Sequence, residues 1–220
     1  MGFYRGPNIV TDGLVFAVDA GSERSYPGSG TTTTSLVGSN TGTLSNGVAY
    51  SSGNGGSFDF DGVDDYIDTT FTIPAGDRSL EFWVYYNTLG SAGGGGYSLM
   101  GVQQNSGRYL YSGIQSNGSG YSYAGNTGGA YGYTFSAATW YHIACVMDSG
   151  TARNYVNGVQ ENTRTYTSSV ASTTEVMIGA VNQQHEIDGL VPLTRVYNKA
   201  LTAAEVLQNY NAQKSRFGLW

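Results

Sequence analysis

Trp140-Tyr141-His142-Ile143-Ala144-Cys145-Val146-Met147 alternates two sets of side chains, Tyr141, Ile143, Cys145 and Met147 against Trp140, His142, Ala144 and Val146. Successive side chains of a strand point to opposite faces, and neither set here is polar enough to face water. The segment is expected to be a strand covered on both sides, by a second layer or by a ligand. Just downstream, Arg153-Asn154-Tyr155-Val156, Asn157-Gly158 and Val159-Gln160 read as strand, turn and strand. Asn-Gly suits the type I′ hairpin turn, which needs positive φ at both central positions.

The same period of two recurs along the chain. Leu80, Phe82, Val84 and Tyr86 oppose Glu81, Trp83 and Tyr85, while Phe58 and Phe60 oppose Asp59 and Asp61. Leu14–Val18, Val176 with Ile178, and Leu190–Tyr197 give further strands. Pro192 has no N–H to donate, so the last strand must be an edge or bulge there. Between Leu89 and Phe135 the chain is rich in Gly, Ser and Tyr. Tyr109/Tyr111, Tyr121/Tyr123 and Tyr131/Tyr133 are each spaced by two, which places each pair on one side of a strand and argues against a linker. One helix is expected: Thr202 and Glu205 form a capping box, and Ala203, Val206, Leu207 and Tyr210 share a face. It is expected to plug an open end of the sheets.

Composition excludes several classes. The chain has 220 residues, of which 12% are charged, with a net charge of −6 and only two lysines, Lys199 and Lys214. Nucleic-acid binding needs a basic patch that this composition lacks. The apolar runs are too short to span a bilayer, so no membrane partner is expected. Cys145 is the single cysteine, which rules out an internal disulfide and a cysteine zinc site. The first residues, Met-Gly-Phe-Tyr-Arg-Gly-Pro, contain no apolar leader, so the reading expects no secretory signal.

Four segments in order, Phe58-Asp-Phe-Asp-Gly-Val-Asp-Asp-Tyr66, Leu80-Glu-Phe-Trp-Val84, Thr139-Trp-Tyr-His-Ile-Ala144 with Tyr155-Val-Asn-Gly158, and Asp188-Gly-Leu190 with Arg195-Val-Tyr-Asn-Lys-Ala-Leu201, resemble the laminin G-like, concanavalin A-like jelly roll. The resemblance implies an all-β fold: a two-sheet antiparallel sandwich with one short C-terminal helix. It divides the chain into an N-terminal arm over residues 1–12, the roll over 13–200, and the helix and tail over 201–220. Residues 9–32 and 207–219 look like the ends of laminin G-like structural proteins of tailed bacteriophages. That likeness implies a non-enzymatic virion protein, a capsid decoration, appendage or fibre, assembled in the host cytoplasm. Its partners would be other capsid or tail proteins and copies of itself as a homo-oligomer, with a host-surface polysaccharide as a further ligand. The alternatives are a carbohydrate-binding lectin module of a bacterial surface protein and, less favoured, a glycoside hydrolase.

Catalytic chemistry finds little support. A glycoside hydrolase needs two carboxylates at a fixed separation. The nearest echo of the hydrolase motif, Glu186-Ile-Asp188-Gly-Leu-Val191, has Val191 in place of the third acid. Cys145 lies inside an apolar strand and reads as a buried, inert thiol, and His142 as a strand histidine with a hydrogen-bonded ring. For sugar, aromatic rings to stack and neutral amides to satisfy hydroxyls nominate Tyr109, Tyr111, Tyr121, Tyr123, Tyr131, Asn117 and Asn126; packing against a neighbouring subunit would use the same tyrosines. Five aspartates between residues 59 and 68, with no lysine or arginine among them, suit hard-oxygen ligation. The expected cofactor set is empty, or one structural calcium held by Asp64, Asp65 and Asp188. Phe3, Tyr4, Arg216, Phe217 and Trp220 are aromatic and arginine side chains at the two ends. They either fold back or dock in an assembly, and their residue types favour docking.

Overall fold

The computed structural model describes residues 7–73, 75–90, 97–104, 108–167, 175–181, 183 and 185–220. In chain order the strands are β1 (Leu14–Asp19), β2 (Thr32–Thr34), β3 (Thr41–Ser45), β4 (Ala49–Ser51), β5 (Ser57–Asp61), β6 (Tyr66–Thr72), β7 (Arg78–Tyr86) and β8 (Tyr97–Gln104). They continue as β9 (Arg108–Gln115), β10 (Ser119–Gly125), β11 (Thr127–Thr134), β12 (Trp140–Asp148), β13 (Thr151–Val156), β14 (Val159–Thr165), β15 (Glu175–Ile178) and β16 (Asp188–Tyr197), before helix α1 (Ala203–Gln213). One antiparallel sheet runs β14-β13-β12-β7-β16-β5-β4, with β1 also paired to β16. The other runs β11-β10-β9-β8-β15-β6-β3-β2. The Gly/Ser/Tyr-rich stretch is thus a four-strand meander. Asn157 and Gly158 both take positive φ, 51° and 81°, as the hairpin turn requires.

The main core lies between the sheets. Leu80, Phe82, Val84 and Tyr86 of β7, with Ile143, Cys145 and Met147 of β12, face Ile67, Leu110 and Ile114 of the other sheet. Phe16 of β1 stacks on Phe71 of β6 at 4.7 Å between ring centroids, bridging the two layers. Along β16 the register slips between Leu190 and Leu193. This is the bulge that Pro192 demanded, and it lets the proline sit in a central strand.

Helix α1 is not an end plug. It lies flat on the outer face of the β7–β12–β16 sheet, which we call the capped sheet. The capping box is formed: Thr202 Oγ1 accepts from the Glu205 N–H at 3.2 Å, and Glu205 accepts from the Thr202 N–H at 2.8 Å. Trp83, Trp140, Leu193 and Phe217 then pack as a cluster beneath Tyr210. Phe217 stacks on Trp83 at 4.3 Å and lies 4.6 Å from Trp140. Leu207, read from the sequence as part of the buried helix face, is 44% exposed. The polar Asn209 is buried instead.

Asn209 is buried because it completes a polar cluster. Glu81, fully buried on β7, sits opposite Arg195 of β16 in the strand register and accepts from Arg195 Nη1 at 2.8 Å. Asn209 Nδ2 donates to the other Glu81 oxygen at 3.0 Å, and His142 Nε2 lies 3.4 Å from it. Asn209 Oδ1 accepts from the Val10 N–H at 2.7 Å, and the Tyr197 hydroxyl donates to the Val10 carbonyl at 3.1 Å. The expected hydrogen-bonded ring of His142 is met only by this contact with Glu81: Nδ1 has no partner, and the ring packs beside Trp83 and Tyr210.

This arrangement corrects the docking expectation for Phe217 and Arg216. Phe217 is buried on the chain's own sheet. Arg216 Nη1 pairs with Asp19 at 2.9 Å, and its Nε donates to the Asn54 carbonyl at 2.7 Å. Trp220 stays 94% exposed; Phe3 and Tyr4 lie outside the described residues.

Two outcomes follow from the capped sheet. Phe217→Ala empties a stacked pocket and should cost about 3–4 kcal/mol, lowering the melting temperature by roughly 10 °C for a chain of this size; thermal denaturation checks it. For Glu81, burial alone would raise the pKa, but His142 and the Arg195 guanidinium beside it bring it down to about 2. A carboxylate held below its unfolded value of 4.5 stabilises the fold above that pH and surrenders the stabilisation as pH falls towards about 2. Urea melts across that window should show a loss on the order of 3 kcal/mol in the wild type that is missing in Glu81→Gln.

Candidate functional site

With the capped sheet occupied by α1 and the arm, the second sheet keeps an outer face that no helix covers among the described residues. We call it the open sheet. Strand alternation brings Tyr111 of β9 and Tyr121 and Tyr123 of β10 to that face, where Tyr123 is the register partner of Tyr111. The rings of Tyr111 and Tyr123 are 5.5 Å apart and those of Tyr121 and Tyr123 6.4 Å. Val181 is buried against them, and Tyr111 is itself nearly buried, whereas Tyr121 and Tyr123 are half-exposed. Gly128 makes room for this group: a Cβ there would stand 2.1 Å from the Tyr123 ring, so the ring lies flat over the backbone of β11. The result is a shallow step of aromatic faces on a sheet, able to stack against a flat, weakly polar ligand.

Other residues expected at this site lie elsewhere. Tyr131 faces the core, not the open face. Its ring fills the space over Gly120, where a Cβ would stand 2.4 Å from it. Its hydroxyl donates to the Gly113 carbonyl and contacts Ser112 Oγ, both at 3.3 Å, and burial pushes its pKa well up. Asn126 is a structural pin: Nδ2 donates to Thr167 Oγ1 at 2.8 Å and Oδ1 accepts from the Thr167 N–H at 3.1 Å. Asn117 shapes the β9–β10 turn by accepting from the Ser119 N–H at 2.9 Å. The two asparagines flank opposite ends of β10, roughly 20–30 Å apart at strand rise, too far for one sugar. The side chain of Tyr109 lies outside the described residues.

The sequence did not point to Arg164. From edge strand β14 of the capped sheet, its guanidinium donates to the carbonyls of Ser122 at 3.2 Å and Ala130 at 3.1 Å. That tethers β10 and β11, which carry or adjoin the tyrosine step, to the other layer. Cys145 is buried as expected, and burial pushes its thiol up to about 12, which makes it inert as a nucleophile.

The acidic segment folds into a second cluster. Asp61, Asp64 and Asp65 bring one carboxylate oxygen each within 4.8 Å of one another. Asp188 does not join them. Its oxygens accept from Asn87 Nδ2 at 3.1 Å and Thr88 Oγ1 at 2.6 Å, so Asp61 takes the place expected for Asp188.

The comparisons agree with this architecture. The sequence profile of the concanavalin A-like lectin/glucanase superfamily matches residues 60–207. The chain belongs to this superfamily. No curated protein sequence matches it. Among solved structures, domain 4 of a GH43 extracellular arabinanase from Geobacillus stearothermophilus, in complex with arabinotriose, superposes with a TM-score of 0.67 at 16% identity, over 90% of this chain and 98% of that one. Trypanosoma rangeli sialidase in complex with sialic acid superposes at 0.71 with 16% identity, covering 96% of this chain but 35% of the sialidase. The botulinum neurotoxin type G receptor-binding domain superposes at 0.69 with 14% identity, over 92% of this chain and 52% of that one. At these identities the likeness to the three structures is one of fold.

The two tyrosine environments predict different outcomes on substitution. Tyr131→Ala should cost about 3–5 kcal/mol, as a core aromatic deletion does. Tyr121→Ala, on the open face, should cost under about 1 kcal/mol. Chemical denaturation of the two variants measures the difference.

Proposed function

We propose that this chain is a non-catalytic, carbohydrate-binding jelly roll of a phage virion, a capsid decoration, appendage or fibre that adheres to polysaccharide on the host surface. The observation that carries the binding reading is the tyrosine step of Tyr111, Tyr121 and Tyr123 on the one large sheet face left without a covering helix among the described residues. Pyranose and furanose rings offer apolar C–H faces to such aromatics, and the arabinanase domain of the same fold was solved with arabinotriose. Hydrolysis is disfavoured on chemical grounds. It needs two carboxylates across the scissile bond, and the only motif echo places Glu186 at 5% exposure and Val191 in the core, with Asp188 already accepting two hydrogen bonds. The virion setting is supported by the resemblance of residues 9–32 and 207–219 to phage structural proteins. A lectin module on a bacterial surface protein would use the same face and differ only in what carries it.

A polysaccharide array should show selective binding by the wild type. Tyr121→Ala/Tyr123→Ala should weaken it at least tenfold, on the order of 1–2 kcal/mol for each ring, with the melting temperature nearly kept. Absence of binding to every polysaccharide overturns the adhesive role, and absence of the protein from purified virions overturns the virion setting.

A further inference from the structure

The described part of the N-terminal arm forms one wall of a groove on the capped side. The groove, about 540 Å³ in volume, opens between β1, the C-terminal end of α1 and the loop after β2. Leu14, Ala17 and Asp19 line it from β1, Ala212 and Gln213 from the helix, and Leu36 and Val37 from the loop. The loop is held to β1: the Leu36 N–H donates to the Ala17 carbonyl at 2.7 Å, and Ser35 Oγ accepts from the Ala17 N–H at 3.1 Å. The arm's wall is Pro7, Asn8 and Ile9. It is anchored by Gln208, whose Nε2 donates to the Asn8 carbonyl at 2.7 Å.

The lining sets the chemistry of an occupant. Ile9, Leu14, Leu36 and Val37 are only half-buried, and covering their apolar surface is favourable in proportion to its area. Arg195 also lines the groove, but its charge is already answered by Glu81 at 2.8 Å. Among the described lining residues Asp19 is the one carboxylate. Its Oδ2 accepts a single hydrogen bond, from Arg216 Nη1 at 3.0 Å, and a carboxylate oxygen has room for a second. The helix turns its C-terminal, negative end to the same place. The groove therefore suits aromatic side chains with one cation beside them. The segment that precedes Pro7 has that composition, Phe3-Tyr4-Arg5 between glycines. Residues 1–6 lie outside the described residues, yet they join the chain at the groove's own wall. At about 3.3 Å per extended residue they reach roughly 20 Å from Pro7.

We propose that residues 1–6 bind in this groove as a strap of the chain's own, with Phe3 and Tyr4 against Leu36 and Val37 and Arg5 beside Asp19. The occupant is intramolecular because Pro7 is already part of the wall. A segment tethered there acts at an effective concentration of about millimolar, which the arm of a second copy does not match in dilute solution. The seated strap also covers Arg195, and so closes the groove side of the ion pair with Glu81.

The test uses the full chain with two cysteines introduced. Cys145 is buried and inert, so a short bis-maleimide reaches only the new thiols. Phe3→Cys/Val37→Cys should cross-link within one chain and keep the mass of a single bridged copy. Phe3→Cys/Thr70→Cys should not, because Thr70 is exposed on β6 of the open sheet. Separately, Phe3→Ala/Tyr4→Ala should lower the melting temperature by roughly 3–6 °C; this measurement carries the test alone should the Val37 variant not fold. A cross-link only between two copies, a link at Thr70 as readily as at Val37, or no link in a variant that folds overturns the strap. So does an unchanged melting temperature in the alanine variant.

Discussion

The ion pair between Glu81 and Arg195 is the interaction around which the covered half of the molecule is arranged. A carboxylate with no exposed surface is tolerated only when its oxygens are answered, and here two parts of the chain donate to it while a third is fixed behind them. Arg195 arrives from the neighbouring strand, Asn209 from the helix, and Val10 is held in place by Asn209 and Tyr197. Each donor is therefore tied to the position of the others. The helix can slide or rotate on its sheet only by stripping a buried charge of a partner, which is far more costly than shifting an apolar contact of the same area. The Trp83–Phe217 stack supplies adhesion between the layers, and the Glu81 cluster supplies their register.

That division explains what was legible in the sequence. The strands around 80–86 and 140–147 were readable because a period of two is a local property, and the apolar character of both faces announced a second layer over β12. The identity of that layer was not readable. Asn209 reads as an exposed helix residue until Glu81, 128 positions away, is known to need a donor. Leu207 reads as core by helical spacing, yet the face that turns inward is chosen by the polar cluster.

The open face and the acidic corner show the same limit at smaller scale. Two-residue spacing correctly grouped each tyrosine pair, but it cannot say which side of the sheet a pair occupies. For Tyr131 the side is set by Gly120, whose missing Cβ opens space on the core side, and by the register slip beside it in the β10–β11 pairing. Asp61 was assigned by alternation to the solvated side of β5 while Asp188 was nominated for metal. The four-residue turn after β5 reverses the chain and brings Asp64 and Asp65 back to Asp61, whereas Asn87 and Thr88 claim Asp188 from the adjacent strand end.

The covering of one sheet also gives the sandwich a back and a front. Pro7–Asp12 lies along the helix, and the far end of the chain runs out beside Phe217 and Leu219, so both leave from the capped side. The tyrosine step lies on the front, so a ligand reaching it meets neither the helix nor the described residues of the arm and tail.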